Sequence, residues 1–385
     1  MSARVAVGLS DSFDAVEAFG DAAEQARRGL DGAECDLCLI FAGAPHLIHA
    51  KPLLDAVRQA LDPAHLLGCG AGGVVGPGRE IEAGPGAVVW AASLPGATIA
   101  THRMAAEPGE ESTGVGGMPD ADQPADALIV LADPNTFPVD VLLAGLNDER
   151  PGLPVLGGLA SAAAAGSAAL FHDADVVDDG AVACSIAGVA VLPCVSQGAT
   201  PVGPEMTITA AEGNVIEELA SAPAIERLRE AIGELEPDEQ ALAGGGLMLG
   251  LVIDENQPEY ERGDFLVRPV IGADPESGSI AIGERVRVGQ TVRMHVRDGA
   301  SADEDLREAL KPRAEALGKV AGSLLFTCNG RGAHMFDVPD HDATTIADVL
   351  GAPVGGFFCA GEIGPVGGRN FLHGFTATMA IFPVE

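Results

Sequence analysis

The residues best suited to chemistry follow a buried apolar run near the C-terminus. The run LLFT is followed at once by a thiol, an amide and a guanidinium held between glycines: Cys328, Asn329, Gly330, Arg331 and Gly332. Glycines let the backbone turn sharply and present N–H groups, and a guanidinium can bind a carboxylate or phosphate through two hydrogen bonds. The pattern predicts the floor of a pocket for a small anionic or zwitterionic molecule. The alternative is an ordinary turn in which Arg331 pairs with a nearby acid.

A second polar patch lies in the sequence CAGEIGPVGGRNFLHGFT. Glu362 stands between glycines and apolar residues, where a buried carboxylate needs a partner. Arg331 and Arg369 are candidate partners, and a ligand ammonium group is another. Asn370 and His373 follow within range, so we include both among the predicted ligand-binding residues, although a single histidine of this kind is more often structural.

Nucleophilic catalysis is an alternative interpretation of the same residues. Cys328 paired with His334 or His341 could attack a carbonyl, and the glycine N–H groups could form the oxyanion hole. A strongly acidic chain, however, raises a thiol pKa and so disfavours the reactive thiolate. We therefore assign no catalytic residue and expect a protein that is not an enzyme. Acyl or amide chemistry at Cys328 or Glu362 stays open as the second hypothesis, and a non-catalytic interaction scaffold as the third.

No motif in the sequence predicts a cofactor or a metal. The glycine-rich stretch at 70–73 lacks the Lys-Ser/Thr of a phosphate-binding loop and the strand–GxGxxG–helix context of a dinucleotide site. Cys35 and Cys38 form the one CxxC pair, without a second pair to complete a zinc site. We expect neither a cofactor nor a metal ion.

Composition restricts the possible partners. The chain has 385 residues, a net charge of −34 and a pI near 4.4, so it repels nucleic-acid phosphates and anionic membranes. The 7 cysteines are an odd number, which argues against a secreted disulfide framework. The N-terminus shows no signal-peptide pattern, and no apolar run reaches the roughly 18–20 residues that span a bilayer. We expect a cytoplasmic protein without membrane insertion.

The order of predicted elements recurs along the chain. Strands at 36–43, 126–134 and 321–332 each precede a predicted helix, at 51–61, 137–149 and 342–351, and a glycine-rich segment follows each helix. This predicts an α/β fold with mixed sheets layered with helices, built from about three repeated strand–helix–strand units. Residues 106–126 are polar and rich in glycine and proline, so we predict an exposed loop there. A helix over 301–318 is expected to break or kink at Pro312.

The motifs together resemble the FIST family, whose members carry an N-terminal and a C-terminal FIST domain. The resemblance rests on CDLCLIFAG, LLGCGAGGVVGPG, LADPNTFPVDVLLAGL and PVLGGLASA in the first half, and on FLVRPVIGADPESGSIAIGERVRVGQTVRMHVRD, FTCNGRG and FFCAGEIGP in the second. It covers about residues 5–382 and places the domains at 1–221 and 222–385. The chain departs from the family pattern at 70–72, where relatives often carry a Thr and a Gly-Glu-like pair.

The resemblance implies an intracellular sensory protein that binds a small polar ligand, such as an amino acid or a carboxylate metabolite, and signals to a protein partner. Glycine-rich strand tips would then converge on one cleft, with Asn329, Arg331 and Glu362 as its polar groups. We expect Arg331→Ala to abolish ligand binding while leaving the fold mostly intact.

Overall fold

A computed structural model describes residues 2–109, 113–120, 122–162 and 169–384. The chain forms two compact units. The first contains the residues up to Val195 together with those from Arg307 onward, and the second contains Ser196–Leu306. The two ends of the chain therefore fold into one unit, whereas the predicted family boundary at 221/222 stays a prediction.

The elements before the second unit are, in chain order, β1 (Arg4–Ser10), α1 (Ala15–Gly29), β2 (Leu37–Gly43), a 3-10 helix (Ala44–His49), α2 (Ala50–Leu61), β3 (His65–Ala71), β4 (Val74–Gly76), β5 (Arg79–Ile81), β6 (Ala87–Ser93), β7 (Thr98–Pro108), β8 (Thr113–Gly116), β9 (Ala127–Ala132), α3 (Val139–Glu149), β10 (Val155–Leu159), β11 (Leu170–His172), β12 (Asp175–Val177), β13 (Ala181–Ala187) and β14 (Leu192–Gln197).

The remaining elements are β15 (Ala199–Glu212), β16 (Val215–Leu219), β17 (Ala222–Pro223), α4 (Ala224–Glu234), α5 (Pro237–Gly244), β18 (Met248–Val252), β19 (Phe265–Asp274), β20 (Ser279–Ile282), β21 (Thr291–Arg297), α6 (Gly299–Leu317), β22 (Val320–Cys328), α7 (Ala333–Phe336), α8 (His341–Leu350), β23 (Val354–Cys359), β24 (Glu362–Val366), β25 (Arg369–His373) and β26 (Thr376–Pro383).

Local sequence explains how these elements begin and which face they bury. In α1, the side chain of Asp14 accepts hydrogen bonds from the N–H groups of Val16 and Glu17, both at 3.0 Å, which caps the helix. The alanines and Phe19 on one side of α1 are buried, as an amphipathic helix requires. The strands β2 and β9 are apolar and buried along their whole length, as expected for parallel strands covered on both faces.

Three sheets of the first unit share one strand order. Each contains a parallel pair, β2/β3, β9/β10 or β22/β23, with an antiparallel return strand, β6, β13 or β26, beside its first member. The chain between the two strands of each pair contains α2, α3 or α8. This confirms the predicted α/β fold with mixed sheets; a repeat at the level of sequence stays a prediction.

Each parallel pair also receives a hairpin from a different part of the unit. The pair β11–β12 joins β3, β24–β25 joins β10, and β4–β5 joins β23. Each hairpin therefore follows the parallel pair of one sheet in the chain but pairs with the parallel pair of another sheet. This exchange brings together the chain segments that leave β3, β10 and β23. The backbone N–H of Ser161 donates to Gly70 O at 3.2 Å, and that of Ala360 donates to Leu159 O at 3.0 Å.

The second unit is a closed antiparallel sheet. Its strands follow the order β15-β21-β18-β19-β20-β16, and β15 pairs again with β16, which closes the ring. Its apolar core includes Ile208, Leu249, Ile280 and Met294. The motif that begins with FLVRPVIGAD forms β19, β20 and β21 of this sheet.

Two expectations about local structure are wrong. The stretch predicted as an exposed loop contains the end of β7 and all of β8, which pair from Ala105–Gly116 to Pro108–Thr113; residues 110–112 and 121 lie outside the described residues. This hairpin lies at the edge of its sheet, where little apolar burial is needed, so it lacks a strong strand pattern. Helix α6 continues past Pro312 to Leu317, so the predicted break is wrong, whereas a kink at Pro312 stays a prediction. Among the described helices, none is long and apolar enough to cross a membrane.

Candidate functional site

Arg331 is fully buried and forms an ion pair with a buried acid. Its Nε and Nη2 donate to Asp342 Oδ2 and Oδ1, both at 2.8 Å, in a two-point contact. Thr327 Oγ1 also donates to Asp342 Oδ2, at 2.7 Å. The interpretation of Arg331 as a turn residue paired with a local acid is therefore right about the pair, but the pair lies in the interior.

The ion pair controls the protonation of Asp342. Burial opposes ionisation, but the Arg331 guanidinium and the hydrogen bonds from His341 and Thr327 hold the pKa of Asp342 well below its usual range. Burial lowers the pKa of Arg331, yet Asp342 outweighs it and raises that pKa. Both groups are thus charged, and they neutralise each other.

An aromatic stack covers this pair. The ring centroids of Phe336 and His341 lie 3.5 Å apart in a nearly parallel arrangement, and the guanidinium carbon of Arg331 lies 5.0 Å from the Phe336 centroid. His341 Nδ1 lies 3.0 Å from Asp342 Oδ1. The short helix α7 and the start of α8 therefore hold Arg331 in one orientation.

One nitrogen of the Arg331 guanidinium has no hydrogen-bond partner among the described residues. This nitrogen, Nη1, is buried. A buried donor without a partner is costly, so such an atom in a native structure calls for an explanation such as a bound molecule.

Glu362 presents a second buried polar atom without a partner in the described part of the chain. It is fully buried at the start of β24. Its Oε2 accepts hydrogen bonds from Thr376 N at 3.1 Å and Thr376 Oγ1 at 2.9 Å, whereas Oε1 has no hydrogen-bond partner among the described residues. Burial raises the pKa of Glu362 to about 8, against the lowering effects of Thr376 and Arg331. At neutral pH the carboxyl is therefore mostly protonated.

Cys328 lies against the same carboxyl and is a poor nucleophile. Burial, followed by the charge of Glu362, raises the pKa of its thiol to about 12. The N–H of Gly330 donates to Cys328 Sγ at 3.3 Å. A thiol in this environment carries almost no thiolate at neutral pH, which does not favour the cysteine-enzyme hypothesis.

Phe375 closes the site opposite Gly330. Its backbone has φ 64°, in the left-handed region that a bulky residue rarely adopts, and such strain concentrates at functional sites. A Cβ built on Gly330 would meet two ring carbons of Phe375 at 2.8 Å, so glycine is needed for this close approach. The ring is half-buried and forms part of the rim of the site.

The tip of the first parallel pair also reaches this region. The N–H of Gly72 donates to Ser161 Oγ at 2.8 Å, and Ser161 Oγ in turn donates to Phe358 O. A Cβ on Gly72 would lie 3.5 Å from Asn329 Oδ1. Gly72, in the stretch where the chain departs from the family pattern, therefore borders Asn329.

The hairpin β4–β5 holds the loop that carries Arg331. Glu82 Oε1 accepts a hydrogen bond from Ala333 N at 2.8 Å, and Glu80 Oε1 accepts one from Ala343 N at 2.9 Å. Burial and the neighbouring Asp342 raise the pKa of Glu80 to about 8. Two carboxyl groups from the first half of the chain thus accept hydrogen bonds from N–H groups in the first turns of two short helices in the second half.

The other predicted residues contact backbone groups or lie at the surface. Asn370 Oδ1 accepts from Val155 N at 2.8 Å, and its Nδ2 donates to Leu153 O at 2.9 Å, so its amide links β25 to β10. His373 is the cross-strand neighbour of Glu362, and its Nε2 lies 2.9 Å from Gly364 O. Arg369 lies at the surface, 3.9 Å from Asp148, and is not a partner of Glu362. Ligand contacts from Asn370 and His373 remain predictions.

Several residues of this region were not singled out by sequence reasoning. Asp342, Thr376, Phe375 and Ser161 all bear on the site, although each belongs to an ordinary-looking segment. Asp342 had one usable signal, because an acid in the first turn of a predicted helix after an arginine-containing loop is a natural partner for it. In the described residues, His, Cys, Asp and Glu side chains form no group of three or more that could hold a metal ion.

Two domain models of one family match most of the chain. The model of the FIST N domain matches residues 36–221, and that of the FIST C domain matches residues 224–365. The chain belongs to the FIST family, as the sequence motifs indicated. FIST domains are associated with sensory signal transduction.

Full-length relatives occur in mycobacteria. The chain is 44% identical over 384 residues to the uncharacterized protein Mb0898c of Mycobacterium bovis, covering 98% of each chain. It is also 44% identical over 384 residues to the uncharacterized protein Rv0628c of Mycobacterium tuberculosis, covering 98% of this chain and 99% of that one.

Proposed function

We propose that this protein is a sensor that binds a small polar ligand at the tip of the third parallel pair, between Arg331 and Glu362. The observation that carries the proposal is the pair of unpartnered atoms, Arg331 Nη1 and Glu362 Oε1, both in fully buried side chains. The two atoms are not bonded to each other, although the two groups interact electrostatically. A ligand with a donor and an acceptor would satisfy both of them.

The surroundings of these atoms support a binding site close to the surface. Asn329 and Ala360, next to the buried residues in the chain, are exposed, and Phe375 forms a half-buried rim. Cys328 and Thr376 supply the floor, and the glycines allow close approach. Amino acids and small carboxylates, the ligand classes predicted from the sequence, both remain candidates. Because Glu362 is an acid, small amines are a third candidate class.

Signalling to a partner would begin at the same residues. A ligand that contacts Arg331 also acts on Asp342 and, through the loop, on the hairpin that carries Glu80 and Glu82. Bound and free states would then differ in the contacts of the α7–α8 segment, which is the kind of differential contact that a ligand-driven change requires.

A thermal-shift screen at pH 8.5 tests the proposal, with single amino acids, small carboxylates and small amines as probes. We expect at least one probe to raise the melting temperature of the wild type. The gain should disappear in Glu362→Gln and persist in Asp148→Asn, which neutralises a carboxylate whose side chain is 78% exposed. Equal stabilisation of all three proteins would contradict the proposed site.

A further inference from the structure

The charges at the site are not equally available to a ligand. Arg331 is already matched by Asp342 through two hydrogen bonds of 2.8 Å, so its positive charge is neutralised within the protein. Glu362 has no comparable partner: Thr376 supplies uncharged donors to one oxygen, and the other oxygen is unpartnered. The ionisable group without a charged hydrogen-bond partner at this site is therefore the carboxyl group of Glu362.

We propose that the ligand carries an ammonium group that binds Glu362 Oε1 and displaces the proton of that carboxyl to solvent, while an uncharged acceptor of the ligand is sufficient for Arg331 Nη1. The inference rests on the proposed function and narrows it to small amines. The ligand does not need a free carboxylate, and a simple carboxylate without an amine is a poor ligand.

The environment on every side of Glu362 agrees with a cationic ligand. Cys328 of β22 and Cys359 of β23 face it with neutral thiols, because burial raises the pKa of both. His373 of β25 and Gly158 of β10 are its neighbours across the sheet, and Thr376 of β26 bonds it. The remaining charges are Arg331 and, bonded to it, Asp342, which cancel.

An anionic ligand is electrostatically disfavoured at the same site. It would add a second negative charge to a guanidinium that already holds Asp342, inside a chain of net charge −34. An ammonium group instead forms a charge-assisted hydrogen bond with Glu362 once the proton has left. The exchange is balanced: the amine binds in its ammonium form, Glu362 becomes a carboxylate, and one proton enters the solvent.

This exchange has a measurable pH dependence. Burial raises the pKa of Glu362 to about 8 in the free protein, and the bound ammonium group stabilises the carboxylate. Below that pKa each binding event must release a proton, so affinity rises about tenfold for each pH unit between roughly pH 6 and 8. Above the pKa the carboxylate is already present and the affinity becomes constant until the amine itself deprotonates.

The experiment is calorimetry on the full chain with probes of matched size. Ethylammonium and 1,4-diaminobutane are the cations, ethanol and 1,4-butanediol are the uncharged isosteres, propionate and succinate are the anions, and alanine is the zwitterion. Each titration is run in two buffers with different heats of ionisation, at pH 6.5 and pH 9, so that the number of protons released is counted directly.

We expect one of the cations to bind the wild type, with about one proton released at pH 6.5 and almost none at pH 9, and the isosteres to bind at least tenfold more weakly. Glu362→Gln keeps an acceptor for Thr376 and should lose both the affinity and the proton release. The proton count of the wild type is decisive even if that variant does not fold.

Two results would overturn the inference while leaving the proposed function standing. In one, propionate or succinate binds and the amines do not; in the other, an amine binds without proton release at pH 6.5. If no probe of any charge binds at either pH, the proposed function fails along with the inference.

Discussion

The segment that follows β2, here the first tip, and the segment that follows β22, here the polar tip, come after equivalent strands of two sheets with the same strand order. The two tips nevertheless carry different chemical groups. After β22, buried Arg331 and Asp342 form an ion pair beside the unpartnered carboxyl oxygen of Glu362. After β2, backbone fills the corresponding place: Gly43 N donates to Gly86 O at 2.7 Å, and a Cβ on Gly43 would meet Gly84 O at 2.4 Å. One topology thus supports a closed tip and a polar one.

The first tip does contain one buried polar side chain. His46 lies in the 3-10 helix after β2, its Nε2 is 2.8 Å from Pro85 O, and its ring meets Phe19 edge-on. Its Nδ1 is buried and has no hydrogen-bond partner among the described residues, but no ionisable group without a partner lies beside it there as Glu362 lies beside Arg331. The contacts with Pro85 and Phe19 are those of a core residue that fastens the tip to α1 and to the segment before β6. The comparison teaches that function in this fold depends on which side chains the sequence places at a tip, and not on the strand order.

The largest expected effect is the loss of stability in Arg331→Ala. The substitution leaves the buried carboxylate of Asp342 without its partner, which costs about 3–5 kcal/mol in comparable buried pairs. The sequence-based expectation of an intact fold is thereby revised, because Arg331 is fully buried. Urea unfolding monitored by circular dichroism measures the change.

The matched control for that substitution is Arg369→Ala. Arg369 is 56% exposed in its side chain and lies 3.9 Å from Asp148, so its removal should change the free energy of unfolding by less than about 1 kcal/mol. Similar losses in the two variants would show that the Arg331–Asp342 pair is not the buried anchor of the polar tip.

The next effect is the pH dependence of stability contributed by Glu362. Its pKa rises from 4.5 to about 8 on folding, so between these values the folded state binds more protons than the unfolded state. Stability from this group is therefore present at low pH and is lost as the pH rises from about 5 to 8, by an amount on the order of a few kcal/mol.

Glu362→Gln removes this dependence. Thermal melts of both proteins from pH 5 to pH 8.5 should converge towards acid pH and diverge towards alkaline pH, with the Gln variant the more stable there. If the difference between the two melting temperatures is the same at every pH, Glu362 has an ordinary pKa and the polar tip is not as described.

A smaller effect is expected from Gly330→Ala. The new methyl group would meet the Phe375 ring at 2.8 Å, and displacing the ring should cost about 1–3 kcal/mol and weaken ligand stabilisation. The control is Gly374→Ala in the adjacent segment, where a Cβ meets nothing within 4 Å. Equal melting temperatures and an equal ligand response in the two variants would show that Phe375 is not part of the site.

The smallest effect is expected from Cys328→Ala. Because burial raises the thiol pKa to about 12, native Cys328 should be alkylated by iodoacetamide far more slowly than the unfolded chain at pH 8. The variant should keep its ligand response within about threefold, since the thiol contributes only weak hydrogen bonds to Gly330 and Glu362. Rapid native alkylation would instead favour the cysteine-enzyme hypothesis.

The sequence predicted the strands and helices well where burial is continuous. The runs at 36–43, 126–134 and 321–332 contain β2, β9 and β22, whose residues within the runs are buried, and their apolar character is visible without a structure. The edge strand β8 was missed because an edge strand needs little apolar burial. The exchange of hairpins was also out of reach, since it depends on pairings between residues more than 100 positions apart, such as Val75 with Gly356.

The candidate site was predicted in part for the same physical reason. Cys328, Arg331 and Glu362 stand out because polar residues between glycines and apolar runs need partners. Their partners are set by tertiary folding: Asp342 is 11 residues from Arg331 in the chain, Thr376 is 14 from Glu362, and Glu80 is 263 from Ala343. The burial that raises the pKa of Glu362 also arises only once the sheets have assembled.

The most direct test of the account is to map where a stabilising probe acts. Hydrogen–deuterium exchange of the wild type, with and without the best probe of the thermal-shift screen, compares the peptides that cover 328–343 and 374–378 with the peptide that covers 43–50. The account predicts slower exchange in the first two on binding and no change in the third. Protection confined to 43–50, or to segments outside all three peptides, would contradict the assignment of the site to the polar tip.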